Sequence, residues 1–174
     1  MNYFGYGTNS EAHAVATITK RDPADLRGTP AFLSNYGLAI QRLSDVPDTL
    51  NEGSFLPASP RALLRNNWGE NFSSYVIYPR IGSSVFGRIW ELTRDEHERM
   101  REWELVGDWY RDAVGKALTV DGTVNVVTEA LGDGQEYGRE TYGLDYNPWL
   151  QPIEQFDRVA KAVVALYDER MGDA

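Results

Sequence analysis

The spacing of apolar and polar positions changes several times along the chain, and each change marks an element. Met1-Asn2-Tyr3-Phe4-Gly5-Tyr6-Gly7 opens extended and aromatic, then meets Thr8-Asn9-Ser10. Residues that tolerate positive φ or bond nearby backbone thus follow a strand, which predicts a tight turn. Residues 11–20 predict a short helix, weakened by Thr17, Ile18 and Thr19. Tyr36, Leu38 and Ile40 alternate onto one face, as a strand over 36–40 requires. Residues 74–78 and 83–92 are two more β segments, and Pro79 and Gly82 between them predict a hairpin. A further strand, Val124 to Leu131, follows the Asp121-Gly122 turn signal.

The period shifts to that of a helix in two places. Thr93-Arg94-Asp95-Glu96 is a capping-box pattern, opening a helix that runs to about Glu104. Ile153, Phe156, Val159, Ala160, Val163, Val164 and Tyr167 form one apolar stripe, so 150–171 reads as a C-terminal helix that docks on the rest of the chain. Residues 44–72, with Pro47, Pro57, Pro60, Gly53 and Gly69, read as irregular; a long loop inside a compact domain is often functional or mobile, and this one is expected to frame the pocket entrance. Residues 132–148 read as a Gly- and Tyr-rich connection. With no internal repeat, residues 1–174 are expected to form a single α+β domain.

Composition narrows the chemistry. The 26 acidic against 17 basic side chains give a net charge of -9, which argues against nucleic acid or an anionic membrane as partner. There is no cysteine, hence no disulfide and no thiolate nucleophile. His13 and His97 are the only histidines and lie far apart in sequence, so no metal site is expected. No apolar run reaches the ~20 residues of a membrane span, and the first residues lack a basic-then-apolar leader pattern. A soluble, cytoplasmic protein is the expectation; nothing in the chain reads out an oligomeric state.

Acidic residues crowd positions 91–108, and their helical phase separates them. Each residue turns ~100° about a helix. With Met100 as the core anchor, Asp95, Glu98 and Glu102 point toward water, and Glu96 is occupied with capping. Glu104 lies on the apolar side, beside Met100 and Trp103. A desolvated carboxylate has a raised pKa and so can take and return a proton near neutral pH. The competing reading makes Glu104 one more solvated charge at a frayed helix end, and the pattern alone leaves both open.

Three features now stand in order, and together they resemble the γ-glutamylcyclotransferase-like (AIG2-like) family. Phe4-Gly5-Tyr6-Gly7-Thr8-Asn9 is similar to that family's apolar strand followed by Tyr-Gly-Ser-Asn. Val85-Phe86-Gly87-Arg88-Ile89-Trp90-Glu91-Leu92 is similar to its Val-x-Gly-x-x-x-x-Leu strand. The stretch through Glu104 to Tyr110-Arg111 resembles its Leu-Asp-x-x-Glu-Gly-x-x-x-x-Tyr segment. The likeness spans residues 3–131.

The resemblance implies a small mixed β-barrel with flanking helices. It also implies release of 5-oxoproline and a free amine from a γ-glutamyl amine, amide or dipeptide, with neither metal nor cofactor. Glu104 would act as general base and then general acid. Tyr6, Gly7, Thr8 and Asn9 would bind the substrate, the turn's backbone N–H groups holding carboxylate or oxyanion, and Tyr110 would offer a pocket hydroxyl. The alternative for the turn is a β-corner with Asn9 capping the next helix.

Departures from the pattern are Thr8 for serine, Ser10 for leucine, and Trp103 and Leu105 flanking the glutamate where a small residue commonly follows. They point to a divergent member with a substrate other than glutathione. Two other classes stay open: a non-catalytic small-molecule binding module on the same fold, and an interaction protein using Trp68, Trp109 and Trp149 as a contact face. Arg61 and Arg65 would reach a substrate carboxylate if their segment is helical, or simply lie on a solvated face.

Overall fold

A computed structural model of the chain describes residues 1–141 and 146–172. Five strands close into a barrel: β1 (Asn2–Gly5), β2 (Thr29–Arg42), β3 (Ser73–Glu91), β4 (Tyr110–Thr119) and β5 (Gly122–Leu131). Their order is β3-β1-β5-β4-β2, and β2 pairs back onto β3. β1 runs parallel to β5 through Tyr3 and Val127, and the other barrel pairings are antiparallel. A short strand, β6 (Arg139–Thr141), extends the sheet from Leu38–Ile40 of β2. Flanking helices are α1 (Ala12–Thr19), α2 (Pro60–Trp68), α3 (Arg94–Trp103) and α4 (Ile153–Gly172). The fold is α+β, a small mixed barrel with flanking helices.

β1 is covered on both faces, which is why its aromatic residues do not alternate with polar ones. Phe4 points into the barrel with Leu33, Ile77 and Val85. Tyr3 points outward, beneath the helices, with Val15, Ile18, Met100 and Phe156. Both are fully buried. A third cluster, around Leu64, Phe72 and Trp109, fills the space between the barrel and α2.

The segments read as two strands of a hairpin, 74–78 and 83–92, instead form one strand, β3. Both halves pair with β2, and the register breaks between Ser34 and Tyr36. Pro79 and Gly82 mark that irregularity: Asn35 and Gly82 both take positive φ, and the Gly82 N–H donates to Asn35 Oδ1 at 3.2 Å. An interrupted ladder shows the same punctuation as a turn. The strand read at 36–40 extends over all of β2.

β4 carried no strand signal because its inward positions are small. Ala113 and Ala117 are buried, and a Cβ on Gly115 would lie 2.7 Å from Leu33 Cδ1. Leu33 fills the space, while Val114 and Leu118 face outward.

Residues 44–72 are not irregular throughout, since α2 lies within them, capped by Ser59 Oγ and with Pro60 in its first turn. The 132–148 connection contains β6, and its residues 142–145 lie outside the described residues. α4 docks through Phe156, Val159 and Ala160, while Ile153 in its first turn is exposed. Its polar side is tied down by Asp157 to His13, and by Asp168 to both Lys20 and Arg99. No described helix is long and apolar enough to cross a membrane.

Candidate active site

β1 ends where the backbone must pass over itself. A Cβ on Gly5 would sit 2.1 Å from the Asn9 carbonyl oxygen, so only glycine lets residues 7–10 fold back over the strand end. Those residues form one 3-10 turn, and Gly7 takes a φ of +54°. Trp90 Nε1 from β3 donates to the Asn9 carbonyl at 2.9 Å and pins the turn. Its first internal bond runs from the Asn9 N–H to Tyr6 O at 3.1 Å, which leaves the Gly7 and Thr8 N–H groups ahead of it. Thr8 Oγ1 donates to Pro148 O at 2.8 Å, so that hydroxyl proton is committed. Ser10 is buried but satisfied, its hydroxyl donating to Gly7 O at 2.7 Å. Asn9 does not cap α1, whose N-cap is Glu11 without a side-chain bond.

Glu104 is the C-cap of α3, its N–H donating to Met100 O at 3.0 Å. The capping box at the other end forms as expected, Thr93 and Glu96 bonding reciprocally. Leu105 follows with a φ of +49°, a left-handed position normally given to glycine. This explains why a small residue suits the position, and the cost of a branched side chain there is about 1–2 kcal/mol. Leu105 packs against the cluster that holds Leu64, Phe72 and Trp109, which offsets that cost. Beyond it, Asn51 grips the loop by donating from Nδ2 to Gly107 O and from its N–H to Asp108 Oδ1.

From the turn, Asn9 Nδ2 reaches Glu104 Oε1 at 2.6 Å and the Tyr3 hydroxyl at 3.2 Å. The Tyr3 hydroxyl in turn donates to Glu129 Oε2 at 2.8 Å. Two carboxyls are thus joined through one amide and one phenol. Burial pushes the Glu104 pKa up to about 7, with the Asn9 bond partly offsetting it. Burial, then the nearby charge of Glu104, push Glu129 to about 8, with the Tyr3 bond opposing. Both carboxyls are thus pushed up toward the neutral range, Glu129 further than Glu104. Asn9 Oδ1 and Glu129 Oε1 are buried without a hydrogen-bond partner among the described residues.

Tyr6, Gly7, Thr8, Asn9, Glu104 and Tyr110 all line one cavity of about 410 Å³, a volume usual for small-molecule sites. The six residues singled out from the sequence therefore come together. The Tyr110 hydroxyl donates to Tyr75 O at 2.9 Å, and burial raises its pKa. Sequence reasoning missed Glu129, which lines the same cavity from β5, and Tyr3, which connects it to Asn9. The available signal was a carboxylate inside the run Val126-Val127-Thr128-Glu129-Ala130-Leu131, whose other residues are apolar apart from Thr128.

Other anticipated residues lie elsewhere. Glu102 does not simply face water: it lines the cavity lip and pairs with Arg170 at 2.7 Å. Arg61 straps the loop to Val46 O, Ser44 O and Asp48, and Arg65 pairs with Glu70. Neither lines the cavity. Trp109 is buried, its Nε1 donating to Gln41 Oε1 at 2.8 Å. Trp68 packs on Phe72 and Trp103, and Trp149 on Phe156, so these three indoles do not form an exposed contact face. Among the described residues no three histidines or carboxylates converge as metal ligands would.

No protein-family model matches the chain, and no curated protein does. Solved structures do resemble it. One is described as a γ-glutamyl cyclotransferase, at 14% identity and a TM-score of 0.56 over 98% of this chain and 79% of that one. An uncharacterised human protein aligns at 16% identity and a TM-score of 0.51 over 91% and 85%. An Arabidopsis thaliana protein solved in solution aligns at 17% identity and a TM-score of 0.50 over 98% and 90%. At such identities the likeness establishes a shared fold.

Proposed function

We propose that this protein is a γ-glutamylcyclotransferase-type enzyme, releasing 5-oxoproline and a free amine from a γ-glutamyl compound. The observation that supports this reading most is the Asn9–Glu104 hydrogen bond at 2.6 Å, inside a cavity where the carboxyl pKa is about 7. A group at that pKa exists in both forms near neutral pH, as a residue that takes and then returns a proton must.

The reaction balances without water or a second reagent. The α-nitrogen of the γ-glutamyl group attacks its own γ-carbonyl carbon, the new C–N bond closes the lactam, and the old C–N bond to the amine breaks. Two protons leave the α-ammonium and two arrive on the departing nitrogen. Glu104 removes a proton from the attacking nitrogen and delivers it to the leaving one. Because the ring closure is intramolecular, holding the reactive conformer supplies much of the acceleration.

The same residues suit the substrate's charged head. Asn9 Oδ1, buried and unpartnered, accepts from the α-ammonium. The Gly7 and Thr8 N–H groups, ahead of the turn's own bonds, meet the α-carboxylate or the developing oxyanion. Tyr110 lines the cavity as a hydroxyl of raised pKa, able to share a hydrogen bond with substrate. Glu129, whose pKa is pushed up by burial and by the nearby Glu104, positions Tyr3 and through it Asn9.

The test is incubation with γ-glutamyl amines, γ-glutamyl dipeptides and glutathione, following 5-oxoproline, beside Glu104→Gln. Release by the wild type but not by the variant supports both reaction and residue. Release unaffected by the substitution removes Glu104 from the mechanism. Ligand binding without any release would favour a binding module on this fold.

A further inference from the structure

The cavity has two dissimilar parts. Around Glu104 it is polar and hydrogen-bonded, whereas the outer wall comes from α2, the last residue of α3, α4 with the segment just before it, and the loop before α2. Phe55, Leu63, Trp68, Trp103, Leu150 and Phe156 supply that wall. Trp103 meets Phe156 edge-on at 5.3 Å and Trp68 at 6.3 Å between ring centroids, so the aromatic surface is continuous.

The charges on the lining are as telling as the rings. Glu102, Glu104 and Glu129 line the cavity, and Arg170 is the one cation among the described lining residues. Arg170 is already paired with Glu102 at 2.7 Å. Residues 142–145 contain no lysine or arginine. A γ-glutamyl dipeptide, glutathione included, carries a free carboxylate on its leaving portion. That charge would enter an apolar, acidic chamber and find no unpaired cation among the described residues, and an unpaired charge taken out of water is strongly disfavoured. A leaving amine with a terminal ammonium loses its hydration to the same apolar wall, with Glu102 engaged by Arg170, Glu104 by Asn9 and Glu129 by Tyr3.

We infer that the substrate is the γ-glutamyl amide of an uncharged, apolar amine, of aromatic or branched aliphatic type, with no carboxylate on the amine portion. This rests on the cyclotransferase reading for its reaction but not for its ligand. The α-carboxylate and α-ammonium of the γ-glutamyl head stay at the Gly7-Thr8-Asn9 turn, and the apolar group lies against the surface that Trp68 and Trp103 form over Phe156.

The test uses three compounds sharing the γ-glutamyl head: the amide of phenethylamine, the dipeptide with phenylalanine, and the amide of cadaverine. The first two differ only by one carboxylate. We expect kcat/KM for the phenethylamide to exceed that for the dipeptide by about tenfold or more, with the cadaverine amide also poorer. Phe55→Arg, at a position 93% exposed and therefore tolerant of substitution, places a cation at the mouth and should narrow the gap in favour of the dipeptide. Equal or better turnover of the dipeptide or the cadaverine amide would overturn the inference while leaving the cyclotransferase reading intact. If none of the three releases 5-oxoproline, that reading fails, and calorimetric affinities for the same compounds decide the ligand. Tighter binding of the phenethylamide upholds the inference; equal or reversed affinities overturn it.

Discussion

The floor and the outer wall of the cavity are built in opposite ways. The floor is made where the turn after β1, the C-cap of α3 and β5 meet, and its polar residues are tied by directional bonds: the Asn9 carbonyl by Trp90, Glu104 by Asn9, Glu129 by Tyr3. The wall is made from α2, α4, the loop between β2 and α2, and Trp103 at the end of α3, and its side chains meet through ring and aliphatic contacts. A floor locked by directional bonds suits a proton transfer, which tolerates little displacement. A wall of non-directional contacts suits recognition of shape and can vary without disturbing the chemistry.

That contrast breaks first at the floor. Glu104→Gln keeps the side chain's size but cannot cycle a proton, so 5-oxoproline release should fall by ~10²–10⁴-fold, measured in initial rates. Trp68→Ala acts on the wall alone: kcat/KM for an aromatic γ-glutamyl amide should drop about tenfold, while that for γ-glutamylalanine changes little. Equal losses for both would show that wall and floor are not separable.

Asn9→Ala sharpens the account of the floor. The Asn9 bond lowers the Glu104 pKa, so without it the acid limb of the pH–rate profile should move above about 7. Activity at pH 7 should fall several-fold more than at pH 9, with a pH titration of kcat/KM as the check.

Glu129 makes a prediction about stability. Burial raises its pKa in the folded state from the ordinary 4.5 to about 8, so its neutral form is the one that folding favours. Its contribution is fully present below the unfolded pKa and is lost as pH rises through about 8. Glu129→Gln should melt near the wild type at pH 4 and several degrees higher at pH 9, since about 1 kcal/mol moves Tm by ~2–4 °C at this size. The smallest effect on activity should come from Arg61→Ala. It removes the strap to Val46, Ser44 and Asp48 and should cost about 1–2 kcal/mol in chemical denaturation, with kcat and KM unchanged.

Much of the floor was legible because its residues break local rules. Two glycines flanking a tyrosine at a strand end, and a glutamate on the apolar side of a capped helix, both depart from what secondary structure alone asks for. Glu129 was not legible in the same way. It lies in a strand whose last residues, Thr128 to Leu131, are buried on both faces, so no alternation singles it out. β4 escaped for the opposite reason: its inward face is Ala113, Gly115 and Ala117, too small to register as a hydrophobic pattern. The wall was legible only as a long segment before β3, because which rings meet depends on how α2 and α4 pack in three dimensions. Arg61 and Arg65 show the limit of charge spacing, since both are held by partners outside the cavity.

The most direct test of the proposed role of Glu104 is the pH dependence of kcat/KM for 5-oxoproline release, wild type beside Glu104→Gln. The account predicts a wild-type rate that falls tenfold per pH unit below about 7. It also predicts a variant that is slow and flat across the same range. A variant that keeps both the rate and the limb near 7 would contradict it, and would move the proton transfer to another group.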